Sequence, residues 1–86
     1  MDVRSAVIAA LDETCGLLNR PQLAGKALSG GDFALADLDI DSLSTYEVIM
    51  SLEESLEIEL EPAVIFSSVM LSDVIDAIAA AQNQHA

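Results

Sequence analysis

Apolar side chains recur at Val3, Val7, Ile8, Leu11, Cys15 and Leu18, the three-and-four spacing that gathers them on one helical face. The spacing predicts a first helix over residues 3 to 18, ended by Pro21 and Gly25. Residues 19 to 41 lose the period and read as a long connection containing Pro21, Gly25, Gly30 and Gly31. A connection of that length is unusual in a compact domain unless it packs on the core or carries function. Phe33, Leu35 and Leu38 are the side chains placed to pin it. Periodicity returns over residues 42 to 56, where Thr45, Val48, Ile49, Leu52 and Leu56 share a face and Glu47, Glu53 and Glu54 lie outside it. Pro62 suits a first helical turn, and the "AVIFSS" after it allows one or two turns. Ser72 as N-cap, with Asp73 in the first turn, predicts a last helix to about Ala81 with Val74, Ile75 and Ile78 inward. The polar tail "QNQHA" is expected to fray. No segment shows the period of two that marks a half-buried strand. The expected fold class is therefore all-α: a small four-helix bundle of three main helices and one short one, with a long loop between helices one and two.

A chain of 86 residues is one domain at most, read here as a single unit over 1–86, and it needs its core because staples are missing. The lone Cys15 has no disulfide partner, which suits a reducing compartment, and no Cys/His metal framework is present. On the stripe of helix one, Cys15 reads as a small buried hydrophobe rather than a nucleophile. The longest apolar runs, "AVIAAL" and "AVIF", fall far short of the ~20 residues of a membrane span. The N-terminus lacks the plan of a signal peptide, so a cytoplasmic monomer is expected.

Charge sharpens this picture more than composition does. There are 3 Lys+Arg against 15 Asp+Glu, a net charge of -12. Arg4, Arg20 and Lys26 balance Asp2, Asp12 and Glu13, so the whole excess falls after residue 26, where Lys and Arg are absent. Such a field repels nucleic acid and anionic membranes and attracts basic protein surfaces. A blander reading, acids that keep a 52% hydrophobic chain soluble, stands beside it.

Asp37, Asp39 and Asp41 alternate like the first ligands of an EF-hand loop. The sixth position, where the sharp turn wants glycine, is Ser42, and the twelfth, where a bidentate glutamate belongs, is Val48. A dedicated calcium site is therefore not expected. Intrinsic catalysis is not expected either. A nucleophilic serine needs a base in reach, and after Lys26 the chain offers only His85, in its tail. "SGGDF" lacks the lysine and spacing of a phosphate-binding loop.

Ser42 stands where the second long helix begins, and from local pattern it is an N-cap, with Asp41 favoured by the positive end of the helix dipole. Its surroundings add something else. Leu43, Tyr46 and Met50 form an apolar seam off the core face, bordered by Glu47, Glu53 and Glu54. A greasy stripe with an acidic rim beside one hydroxyl has the make-up of a protein-docking surface.

The run "DLDIDSLSTYEVIMSLEESLEIEL", residues 37 to 60, resembles the modification site and second helix of acyl carrier proteins, and helix order agrees over most of the chain. Asp-Ser-Leu at residues 41 to 43 is the motif, supported by Leu38, Glu47 and Leu52-Glu53-Glu54. The resemblance implies that Ser42 carries a 4'-phosphopantetheine arm derived from coenzyme A and that Asp41 and Leu43 are read by a phosphopantetheinyl transferase. It also implies that Leu43, Tyr46, Glu47, Met50, Glu53 and Glu54 meet basic surfaces of acyltransferase, ketosynthase or acyl-ligase type enzymes. The protein is then no enzyme itself, but a free-standing carrier that holds acyl groups as thioesters for a dissociated polyketide or fatty-acid type pathway. An aminoacyl or peptidyl carrier with the same arm, and an unmodified acidic adaptor binding a basic partner through helix two, are the other readings.

The chain departs from the family in places. Asp39 stands where many carriers have glycine, although "DLDIDSLS" resembles the variant of discrete actinobacterial-type carriers. Position 44 is serine where an acid is common, and position 46 is tyrosine. The short-helix region reads "AVIFSSVM" instead of carrying acids, so it either meets a specialised set of partners or packs inward.

Overall fold

Asp2 opens the first helix, its carboxylate accepting the N–H of Ser5 at 3.1 Å. The computed structural model describes residues 2–84, apart from the side chain of Gln84, so His85 lies outside the described residues. Helix α1, Val3–Cys15, ends earlier than its apolar spacing predicts, because Gly16 takes the left-handed conformation (φ 68°) that closes a helix. The reversal of direction sends Leu17 into the core, with 0% of its surface exposed, and leaves Leu18 at 41%.

The long connection is not a loop throughout. Pro21–Leu28 form a fifth helix, α2, and Leu35–Leu38 form a 3-10 turn. Pro21, read as a stop signal, occupies the first helical turn, where its fixed φ and missing N–H cost nothing. Leu23 and Ala27, one turn apart, bury the inner face of α2. Its C-terminal end is held from another helix. Arg4 of α1 donates to the carbonyls of Gly31 (2.7 Å), Ala27 (3.1 Å) and Lys26 (3.4 Å). The Lys26 carbonyl also accepts the Gly31 N–H at 2.7 Å, so Arg4 matters most at Ala27 and Gly31, past the last internal bonds of α2. Arg4→Ala should therefore lower stability by about 1–2 kcal/mol, read as a fall in the urea midpoint.

Phe33, Leu35 and Leu38 pin the rest of the connection as the sequence suggests, with 2%, 6% and 2% of their surfaces exposed. Two backbone bonds reinforce them, Leu35 N–H to the Val69 carbonyl and Leu71 N–H to the Phe33 carbonyl, each 2.9 Å. They form an isolated antiparallel bridge, Ala34 to Met70, and no strand occurs among the described residues.

Helix α3, Ser42–Leu56, follows its predicted span and buries Thr45, Val48, Ile49 and Leu52, with Leu56 packed at the edge. Helix α4 is a single turn, Ala63–Phe66, and helix α5 is Leu71–Gln84. Helix α5 differs from expectation at both ends. It runs three residues past Ala81, and Ser72 is not its cap. Asp73 instead accepts the N–H groups of Val69 (3.1 Å) and Met70 (2.9 Å). Ser72 donates its N–H (3.0 Å) and hydroxyl (2.7 Å) to Asp32, forty residues earlier. These two bonds, then that of Phe33, hold the Asp32 carboxyl below the usual carboxylate range. The core is thus an all-α bundle, with α1 packed chiefly on α3 and then on α5 around Val7, Leu11, Val48, Leu52, Leu71, Val74 and Ile78.

Candidate functional site

The start of α3 is where the sequence places its candidate residues, and the cap there is Asp41, not Ser42. Asp41 is extended (φ -94°, ψ -177°), and its Oδ1 accepts the Ser44 N–H at 2.7 Å. Its carbonyl accepts both the N–H and the hydroxyl of Thr45, each at 2.9 Å. Ser and Asp are about equally good caps, and backbone geometry decides between neighbours. The Ser44 N–H, followed by the Ser44 hydroxyl, holds the Asp41 carboxyl below its ordinary range. The cap therefore stays charged at neutral pH, and its stabilisation is lost only as pH falls through the depressed value.

The three alternating aspartates do three different jobs. Asp37 lies in the 3-10 turn. Asp39 occupies the left-handed region (φ 54°, ψ 43°) with a carboxylate oxygen 3.9 Å from Arg20 Nη1. That conformation gives a physical reason for glycine at this position in many carriers, since glycine adopts it freely. No three His, Cys, Asp or Glu among the described residues are grouped to hold a metal ion.

With Asp41 as cap, Ser42 is the first residue of α3, and its side chain is exposed. Of the chain's nine serines, Ser5, Ser29, Ser67, Ser68 and Ser72 donate their hydroxyls to protein acceptors, and Ser44 faces Asp41. Ser51 is half-buried, which leaves Ser42 and Ser55 exposed, at opposite ends of α3.

Beside Ser42, the seam of Leu43, Tyr46 and Met50 is exposed, at 68%, 50% and 64%. Helix α4 splits the question its sequence poses. Ile65 is buried, whereas Phe66 is 57% exposed and meets Tyr46 edge-on with ring centroids 6.4 Å apart. Val69, 68% exposed, follows on the same connection. A cleft of about 270 Å³ opens between these elements, lined by Leu35, Ile40, Thr45, Ile65, Phe66 and Ser68. Glu47 and Glu54 are exposed and border a shallow groove with Glu13 of α1. Glu53 differs from them, because it is half-buried and its Oε2 accepts the N–H of Leu60 at 3.0 Å.

Cys15, at the end of α1, is partly buried against the core. Burial pushes its thiol up, against the pull of Arg20, so it stays protonated at neutral pH.

A family model described as the phosphopantetheine attachment site matches residues 9–78. The chain belongs to that family. No curated protein and no solved structure gives a match. As a family member it is a phosphopantetheine carrier, and the prosthetic group such a domain attaches is 4'-phosphopantetheine. Carrier domains of this family are generally non-catalytic and work with a phosphopantetheinyl transferase and biosynthetic enzymes. No helix among the described residues is long and apolar enough to cross a membrane.

The start of α3 fits the chemistry of the group. An exposed hydroxyl with no protein acceptor among the described residues stands at the end of a helix whose first N–H groups and dipole favour a phosphodiester. Asp41, its carboxyl already engaged by Ser44, keeps that helix start in place.

Proposed function

We propose that Ser42 is the attachment residue and that the protein is a free-standing acyl carrier of a dissociated polyketide or fatty-acid type pathway. The observation that carries the reading is the exposed, unengaged hydroxyl at the first residue of α3, next to an apolar seam with an acidic rim. Attachment is a substitution at phosphorus. The serine oxygen forms the new P–O bond, the pyrophosphate bond of coenzyme A breaks, adenosine 3',5'-bisphosphate leaves, and the hydroxyl proton passes to a base on the transferase. When bound, the group supplies a terminal thiol on which acyl cargo is carried as a thioester. The chain's own part is to hold that serine at the surface and to direct partners to it. Asp41 and Leu43 flank the hydroxyl and are what the transferase reads. Leu43, Tyr46 and Met50 supply apolar contact area, and Glu47, Glu53 and Glu54 the charge that steers basic surfaces. Phe66 and Val69 widen the apolar area where a carboxylate-bearing edge would otherwise stand, which supports a specialised set of partners.

Coenzyme A and a phosphopantetheinyl transferase should add one arm to the protein, seen as a single mass increase that maps to the peptide containing Ser42. A chain that remains unmodified with several transferases overturns the reading. Cargo released from protein taken from its native host separates an acyl carrier from an aminoacyl or peptidyl one.

Steering by exposed charge has its own signature. Glu47→Lys should slow transfer to a cognate enzyme about 3-fold or more at low salt and less at physiological salt, where the screening length is ~8 Å. An effect independent of salt would argue against steering.

A further inference from the structure

Arg20 joins the first half of the chain to the segment that leads into Ser42. Its backbone is fixed on both sides, since its N–H donates to the Leu17 carbonyl at 3.1 Å and its carbonyl accepts the Ala24 N–H at 2.8 Å. From that base Nη1 donates to the Asp37 carbonyl at 3.1 Å and stands 3.9 Å from the Asp39 carboxylate. The two acceptors belong to the end of the 3-10 turn Leu35–Leu38, whose inner side is held by buried Leu35 and Leu38. Its outer side has Arg20 alone as an ion-pair tether among the described residues. Asp39 sits in the left-handed region, which penalises a residue with a Cβ, and its side chain is 87% exposed. Ser42 begins α3 three residues later.

We infer that Arg20 is a positioning residue for the attachment site: by tethering Asp37 and Asp39 it holds the left-handed turn that sets the direction in which the chain enters α3, and so the presentation of Ser42. The proposal rests on Ser42 being the attachment residue. The tether is exposed, so its effect is modest, about two- to five-fold on the rate constant of arm addition.

The decisive comparison uses glycine. Arg20→Ala should reduce kcat/KM for arm addition about two- to five-fold. The double variant Arg20→Ala with Asp39→Gly should return to the wild-type value, because glycine holds a left-handed turn without a tether. In the unmodified protein, amide exchange should quicken at residues 37 to 42 in Arg20→Ala and revert in the double variant, while the amides of α5 stay unchanged. The inference is overturned if Arg20→Ala exchanges at residues 37 to 42 like the wild type, or if slowed arm addition is not restored by Asp39→Gly. The latter result would make Arg20 a direct contact of the transferase. Should the wild type accept no arm, the attachment reading fails by itself, and the exchange measurement alone then decides whether Arg20 holds the turn.

Discussion

Ser42→Ala is expected to gain no arm from coenzyme A and a transferase while unfolding within about 0.5 kcal/mol of the wild type. Loss of modification is all-or-none, because no other atom at position 42 can form the P–O bond. Retention of the fold follows from the corrected cap. Had Ser42 been the N-cap, alanine would remove a helix-start hydrogen bond at a cost of about 1 kcal/mol. The bonds belong to Asp41, and alanine at the first helical position is a good helix former. Asp41→Ala is the informative contrast, since it should lower the midpoint and disturb arm addition together. Ser55→Ala and Ser44→Ala should keep the full mass gain. Intact mass spectrometry with a urea melt on the same samples checks all four variants, and an arm on the alanine variant at position 42 would move the site to another serine.

What the sequence made legible follows strength of periodicity. The inner face of α3 repeats so regularly through Thr45, Val48, Ile49 and Leu52 that its burial could be read directly. Helix α2 has only Leu23 and Ala27 to declare its inner face, with a proline and a glycine that argue for a loop. Its C-terminal end depends on Arg4, a partner more than twenty residues away that no local pattern reveals. The same holds for the start of α5, where Ser72 has the right composition for a cap but is bonded to Asp32. Gly16 is a different kind of miss. Its signal was present, as glycine after an apolar stripe, but Leu18 extended the stripe by one more step and concealed the left-handed turn that exchanges Leu17 for Leu18 in the core.

At the start of α3 the sequence misplaced the cap by one residue, since it is Asp41 and not Ser42. The motif placed the hydroxyl, the seam and the acids on one surface, whereas tertiary contacts alone show that Glu53 is tied to Leu60 and that Phe66 extends the seam through Tyr46. Asp39 joins the two levels. In sequence it is a departure from glycine, and in structure it is a left-handed turn residue that tolerates its side chain beside Arg20.

Phe33→Ala should produce the largest loss of stability of any single truncation in the connecting segment, about 3–5 kcal/mol. Only 2% of Phe33 is exposed, whereas the other two aromatic residues, Tyr46 and Phe66, are 50% and 57% exposed. Its backbone is also a junction. The carbonyl accepts Leu71 N–H at the start of α5, its neighbour Asp32 holds Ser72, and its neighbour Ala34 bridges to Met70. Emptying the site therefore loosens the contact between the segment before α3 and the helix that closes the core. A chain of 86 residues has about 4–13 kcal/mol of stability in all, so the loss takes from about a quarter of it to the whole. The urea midpoint should fall by about a quarter or more, and arm addition at Ser42 should decline with the same urea dependence because it reports the folded fraction. Leu43→Ala, which truncates an exposed side chain, should leave the midpoint within about 0.5 kcal/mol of the wild type while weakening transferase recognition. If Phe33→Ala lost less than about 1 kcal/mol, the connecting segment would be packed on the bundle without being needed by it, and the backbone bonds to Val69 and Leu71 would be carrying the junction alone.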